Sequence, residues 1–142
     1  MYDTILLPTD GSDGSRQAAA HAFDLARQYD ATVHVLYVAD TQRDSLTTVG
    51  TEVVDALESE GQEAVSKVVD SDVAHGVDIE EVVVQGHPDD EILAYVEDNA
   101  IDLVVMATHG RSGLGRYLLG STTEKIVRSS PVPVFTVRVG EE

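Results

Sequence analysis

Apolar residues recur along this 142-residue chain in two rhythms. Short, mostly apolar runs at residues 4–7, 33–38, 79–84, 102–106 and 132–139 suit strands, the first of them a buried one closed by Pro8. Between the runs the apolar residues fall at helical spacing. Ala19, Ala22, Phe23 and Ala26 predict a helix ending near Tyr29. Val53, Ala56, Leu57, Ala64 and Val68 predict a second over residues 49–74, weakened at Gly61 and followed by Gly76 as its left-handed terminator. Ile92, Leu93 and Val96 give the buried face of a third, whose first turn holds Pro88, Asp89, Asp90 and Glu91, where the helix dipole favours carboxylates. Ser121-Thr122-Thr123-Glu124 reads as a capping box that opens a fourth, with the Ser121 hydroxyl meeting the N–H of Glu124; Pro131 ends it near Ser129-Ser130.

Strands alternating with helices imply one doubly wound α/β domain over residues 1–142, an open parallel five-stranded sheet of Rossmann-like type with helices on both faces. Pro131 and Pro133 place the last strand at an edge, where a missing N–H does least harm. In such sheets ligands bind beyond the carboxyl ends of the strands. Two segments that follow strands carry unusual chemistry, residues 8–15 and residues 107–120. If the first and fourth strands are neighbours, in the order 3-2-1-4-5, both segments open onto one crevice; spacing proposes that adjacency and does not establish it.

Charge narrows the function. Twenty-six acidic residues oppose nine basic ones, a formal charge of −17 that repels nucleic-acid phosphates and acidic membranes and is best screened in a salt-rich cytoplasm. No cysteine is present, the N-terminus lacks the basic region of a signal peptide, and no apolar run approaches a span, so a cytoplasmic protein without membrane or nucleic-acid partners is expected. Within residues 103–134 the balance reverses: Arg111, Arg116, Lys125 and Arg128 stand against Glu124 alone. Gly110, Gly113, Gly115 and Gly120 lie in the same stretch, between a strand and a helix start, a setting in which an anion can sit. Glycines after a strand also make simple turns. Asp10 suits a metal ion or its bound water, a ribose hydroxyl, or an ordinary turn. The five histidines, His109 among them, show no metal-ligand spacing. Neither a nucleophile elbow nor a full Walker sequence occurs, and no catalytic residue is singled out.

The residues Ile5-Leu6-Leu7-Pro8-Thr9-Asp10-Gly11-Ser12, His34-Val35-Leu36-Tyr37-Val38, Gly86-His87-Pro88, Met106-Ala107-Thr108-His109-Gly110-Arg111 and Leu118-Leu119-Gly120-Ser121 resemble the universal stress protein family over nearly the whole chain. ATP-binding members carry Gly-x-x-Gly, nine residues, then Gly-Ser or Gly-Thr. Gly110 and Gly120-Ser121 match that spacing, with Arg111 opening the nine; the first glycine falls on Ala107, a departure that keeps the backbone N–H but adds a methyl group and predicts a tighter approach. The resemblance implies a 3-2-1-4-5 sheet that binds ATP with Mg2+ or Mn2+. It also implies a homodimer joined through the edge formed by Val134, Phe135, Thr136, Val137, Arg138 and Val139. By the same resemblance Pro8, Thr9 and Asp10 border the ribose and metal, Val38 meets adenine through its backbone, Met106, Ala107, His109 and Gly110 line the ribose and phosphate approach, and Gly120, Ser121 and Thr122 hold phosphate oxygens.

Three functions follow from these readings. The first is an ATP-binding stress-response regulator whose nucleotide state changes the surface presented to an unidentified protein partner. The second is an interaction module of the same fold with an empty crevice, for which Ala107 argues. The third is an enzyme, a slow ATPase or an autophosphorylating protein.

Overall fold

The structure, a computed structural model, describes residues 2–39, 51–70, 72–108 and 120–138. Five strands, β1 (Thr4–Pro8), β2 (Thr32–Ala39), β3 (Asp78–Gln85), β4 (Leu103–Ala107) and β5 (Val134–Val137), alternate with four helices, α1 (Asp13–Tyr29), α2 (Thr51–Val69), α3 (Pro88–Asp98) and α4 (Ser121–Ser129). The strands form one sheet in the order β3-β2-β1-β4-β5, with every neighbouring pair parallel. The adjacency of β1 and β4 that spacing could only propose is therefore present, with Ile5 opposite Leu103 and Leu6 opposite Val104.

Successive side chains on a strand point to opposite faces, and the core divides along that alternation. Ile5, Leu7, Val33, Val35, Leu103 and Val105 are buried with Ala18, Ala22 and Phe23 of α1 and Val65 and Val68 of α2. Leu6, Leu36, Val104 and Met106, at the intervening positions, are buried with Ile92 and Val96 of α3 and Ile126 of α4. Both faces of the sheet are covered, which explains the continuous apolar runs of β1 and β4.

The termini of the elements differ from the expected ones where local chemistry intervenes. The second helix stops at Val69 rather than continuing to residue 74, and a 3-10 turn, Asp72–Ala74, follows it. Gly76, φ +79°, terminates that turn and not the helix, and its conformation alone accounts for glycine there. Gly61 does not interrupt α2: a Cβ at this position would lie 2.6 Å from Cδ1 of Tyr37, so glycine lets α2 approach β2. The last strand begins at Val134 rather than residue 132. Pro133 has no N–H to give, but its carbonyl still accepts from Val104 N at 3.0 Å. Val139 lies outside the described residues.

On β2, His34 shares a face with Leu36 and meets α3. Its Nδ1 is 2.6 Å from the Tyr95 hydroxyl and its Nε2 is 3.6 Å from Glu80 of β3. Burial, and then the nearby Glu80 carboxylate, raise the Tyr95 pKa above its ordinary 10.0.

Candidate functional site

The parallel sheet brings the ends of β1, β2 and β4 to one edge. After β1 the chain turns tightly. Thr9 is buried, donates its N–H to the Leu36 carbonyl at 2.9 Å, and accepts the Gly11 N–H on its hydroxyl at 3.2 Å. Asp10 Oδ1 accepts from Ser12 N at 2.9 Å and from the Ser15 hydroxyl at 2.8 Å, while Asp10 N donates to the same hydroxyl at 3.1 Å. Ser12 caps α1, its hydroxyl accepting from Ser15 N at 3.2 Å. The turn reading of Asp10 is thus realised, and it fixes the carboxyl group just beyond the carboxyl end of β1.

Strand β2 extends past β1. Leu36 O points toward β1, where Thr9 N reaches it, and Ala39 O points toward β3, where Gly86 N reaches it at 3.0 Å. Backbone groups alternate sides along a strand, so the N–H and C=O of Val38 face the side on which β1 has ended at Pro8. That peptide edge has the donor and acceptor a nucleobase edge needs.

Strand β4 delivers Met106 and Ala107, both buried. The alanine that replaces the family's glycine has its side chain in the cluster on the α1 and α2 face. Thr108 follows, its N–H donating to Val137 O at 2.9 Å and its carbonyl accepting from Gly120 N at 2.8 Å. His109, Gly110 and Arg111 lie outside the described residues. Thr108 and Gly120, which flank that stretch, sit at the same edge of the sheet as Asp10.

Helix α4 opens differently from the capping box expected of it. Gly120, not Ser121, is the N-cap, and among the described residues no side chain caps the helix; Ser121 is the first helical residue and is exposed. Glu124 N is bonded to Gly120 O at 2.9 Å. The N–H groups of Ser121, Thr122 and Thr123 precede it and have no intrahelical acceptor. Gly120 has φ −63° and ψ 156°, an extended conformation open to any residue, so its backbone angles do not require glycine. A helix N-terminus without a side-chain cap can offer such donors to an anion. By contrast α1 has a side-chain cap, the Ser12 hydroxyl accepting from Ser15 N.

The local excess of basic residues is reduced in the folded chain. Lys125 Nζ lies 3.6 Å from Asp89 Oδ2, and Arg128 is 2.9 Å from Glu124. Arg111 and Arg116 lie outside the described residues, so the described anion-attracting groups are main-chain donors. Among the described residues no group of three or more His, Asp or Glu could hold a metal ion, and no helix is long and apolar enough to cross a membrane.

This fold is shared with known proteins. The model of the universal stress protein family matches residues 1–138. The chain belongs to that family. Universal stress protein MJ0531 of Methanocaldococcus jannaschii is 40% identical over 141 residues, covering 97% of this chain and 83% of its own. The solved structure of protein MJ0577 superposes with a TM-score of 0.88 at 30% identity, covering 100% of this chain and 99% of that one. A universal stress protein solved in complex with cAMP superposes at 0.77 and 26% identity, covering 98% of this chain and 99% of its own. Some relatives of this universal stress protein therefore bind nucleotides.

Two residues escaped the sequence reading of the site. Ser15 holds both polar ends of Asp10, and its signal was a second serine three positions after the capping Ser12. Thr123 faces inward from α4, and its signal was the i, i+3 spacing to the buried Ile126.

Proposed function

We propose that this universal stress protein binds ATP in the crevice between the ends of β1, β2 and β4 and acts in the cytoplasm as a nucleotide-dependent regulatory module. One observation carries the reading: α4 begins with no side-chain cap among the described residues, behind a glycine whose angles need no glycine, on the edge where Asp10 and the backbone of Val38 also face. Pro8, Thr9 and Asp10 would border the ribose, Val38 the adenine, Met106 and Ala107 the floor, and His109, Gly110 and Arg111 the phosphate approach. Gly120, Ser121 and Thr122 would hold phosphate oxygens. A divalent cation such as Mg2+ or Mn2+ fits as a companion of the phosphates, since Asp10 is the carboxylate at this mouth and Mg2+ accepts one or two protein carboxylates with phosphate and water. When bound, the cation supplies charge neutralisation in a protein of charge −17.

A second copy of the chain is the expected partner at β5. That strand pairs with β4 on one side, and Phe135 is exposed. Arg138 is the one charged residue from Ser129 to Arg138, whereas the opposite edge strand β3 carries Asp78, Glu80 and Glu81. Two strongly acidic chains can approach through the first edge and not the second. The cAMP complex of a relative makes cyclic nucleotides the alternative ligand.

Calorimetry with ATP, with and without Mg2+, and with cAMP tests the reading. Saturable heat with ATP that strengthens with Mg2+ is expected. Heat with cAMP alone would assign the crevice to cyclic nucleotides, and silence with both would leave the interaction-module reading.

A further inference from the structure

Thr123 stands outside the motif glycines and serine of the phosphate segment, yet it is only 4% exposed. Its hydroxyl donates to the Ala107 carbonyl at 2.9 Å, across 16 residues of sequence. Ala107 is the last residue of β4, and the next carbonyl, that of Thr108, accepts Gly120 N at 2.8 Å. The start of α4 is therefore tied to the end of β4 at two successive carbonyls, one held by the main chain of the N-cap and one by a buried side chain in the first turn. Ile126, one turn on and fully buried, fixes the rotation of the helix about its axis. The donors of Ser121 and Thr122 belong to the same turn.

From these contacts we infer that Thr123 is a positioning residue for anion binding: its hydroxyl sets where the first-turn N–H groups of α4 point relative to the sheet edge. The inference rests on the nucleotide reading and deepens it. Hydrogen bonds weaken steeply as donors turn away from acceptors, so a small displacement of the helix start costs the phosphate contacts first. The nucleoside end, at the backbone of Val38 and the turn through Asp10, is built on β1 and β2 and does not share this tie.

The test is the ratio of ATP affinity to adenosine affinity, measured by calorimetry on the full chain. Thr123→Val keeps the side-chain volume and removes the donor, whereas Thr123→Ser keeps the donor. Thr123→Val should weaken ATP about tenfold or more, as expected for loss of a buried hydrogen bond that orients several others, and leave adenosine within about twofold. Thr123→Ser should restore most of the ATP affinity. If Thr123→Val does not fold, Thr123→Cys, a weaker donor of similar size, should give a ratio below that of Thr123→Ser. Wild-type ATP affinity in the valine or cysteine variant, or equal loss of ATP and adenosine, overturns the assignment while the nucleotide reading stands. A wild-type protein that binds neither ligand removes both.

Discussion

The hydroxyl of Ser15 donates to Oδ1 of Asp10 at 2.8 Å and accepts the Asp10 N–H at 3.1 Å, so one buried serine orients both the side chain and the peptide of the aspartate that follows β1. Ser15→Ala strips two partners from a part-buried turn. A loss of about 1–3 kcal/mol is expected for groups left unsatisfied, read as a lower urea midpoint at unchanged slope. ATP binding should weaken in parallel. An unchanged midpoint would remove this account of the turn.

Gly120 provides the opposite kind of change. Asp at this position would cap α4 in the backbone angles already present and, relative to glycine, should alter stability by only a few tenths of a kcal/mol, roughly, in the favourable direction. The same carboxylate would occupy the donors offered to phosphate and repel it. Gly120→Asp should therefore melt no lower than wild type and lose ATP binding. A variant that binds ATP normally would mean that these donors do not serve the ligand.

Gly61 faces the Tyr37 ring, and a Cβ would come within 2.6 Å of it. Helix propensity favours alanine over glycine by about 1 kcal/mol, but overpacking costs about 1–3 kcal/mol. Packing should win, so Gly61→Ala should lower the melting temperature. In a Tyr37→Leu background the same change should become neutral or stabilising, which a double-mutant cycle measures.

Tyr95 predicts an alkaline limit. Its folded pKa is raised, first by burial and then by Glu80, so the folded state holds the phenolic proton more tightly than the unfolded one. The groups facing it include His34, whose Nδ1 is 2.6 Å from the hydroxyl. The contribution is fully present below the ordinary value of 10.0 and is lost as pH rises from there through the folded pKa. Tyr95→Phe should be less stable at neutral pH, through loss of the His34 contact, and should show a shallower decline above pH 10. A parallel decline in both proteins would count against the assignment.

At β5, Phe135→Glu should yield a monomer in sedimentation at concentrations where the wild type is dimeric. Self-association of a −17 chain should also strengthen with salt, because screening removes repulsion between copies. A wild type that remains monomeric in molar salt would exclude this edge as the interface.

Much of the architecture was legible because its signals are local. The unbroken run of Leu103 to Ala107 and the helical stripe of Ala19, Ala22, Phe23 and Ala26 each report burial on particular faces, and burial follows from the side chains themselves. The cap of α4 was misread for a related reason. Ser-Thr-Thr-Glu satisfies the capping-box pattern, but the backbone enters the helix one residue earlier, because Gly120 N is held by Thr108 O. A bond between residues twelve positions apart shifted a boundary that local preference had placed at Ser121. At Gly61 the helix-propensity cost was legible but the packing reason for glycine was not, since propensity knows nothing of the ring of Tyr37.

The sequence by itself determined the alternation of strands and helices, the acidic surface and the motif that places the chain among universal stress proteins, all of which depend on the order and type of side chains. Only the tertiary structure decided that the ends of β1 and β4 share an edge, that Ser15 and Thr123 bond Asp10 and the end of β4, and that Lys125 and Arg128 are matched by Asp89 and Glu124. The contacts of Thr123 with Ala107 and of Lys125 with Asp89 join stretches far apart in the chain, whereas Asp10–Ser15 and Glu124–Arg128 are local pairs whose geometry the folded backbone sets. Their energies depend on distance and burial, which exist only once the strands have assembled.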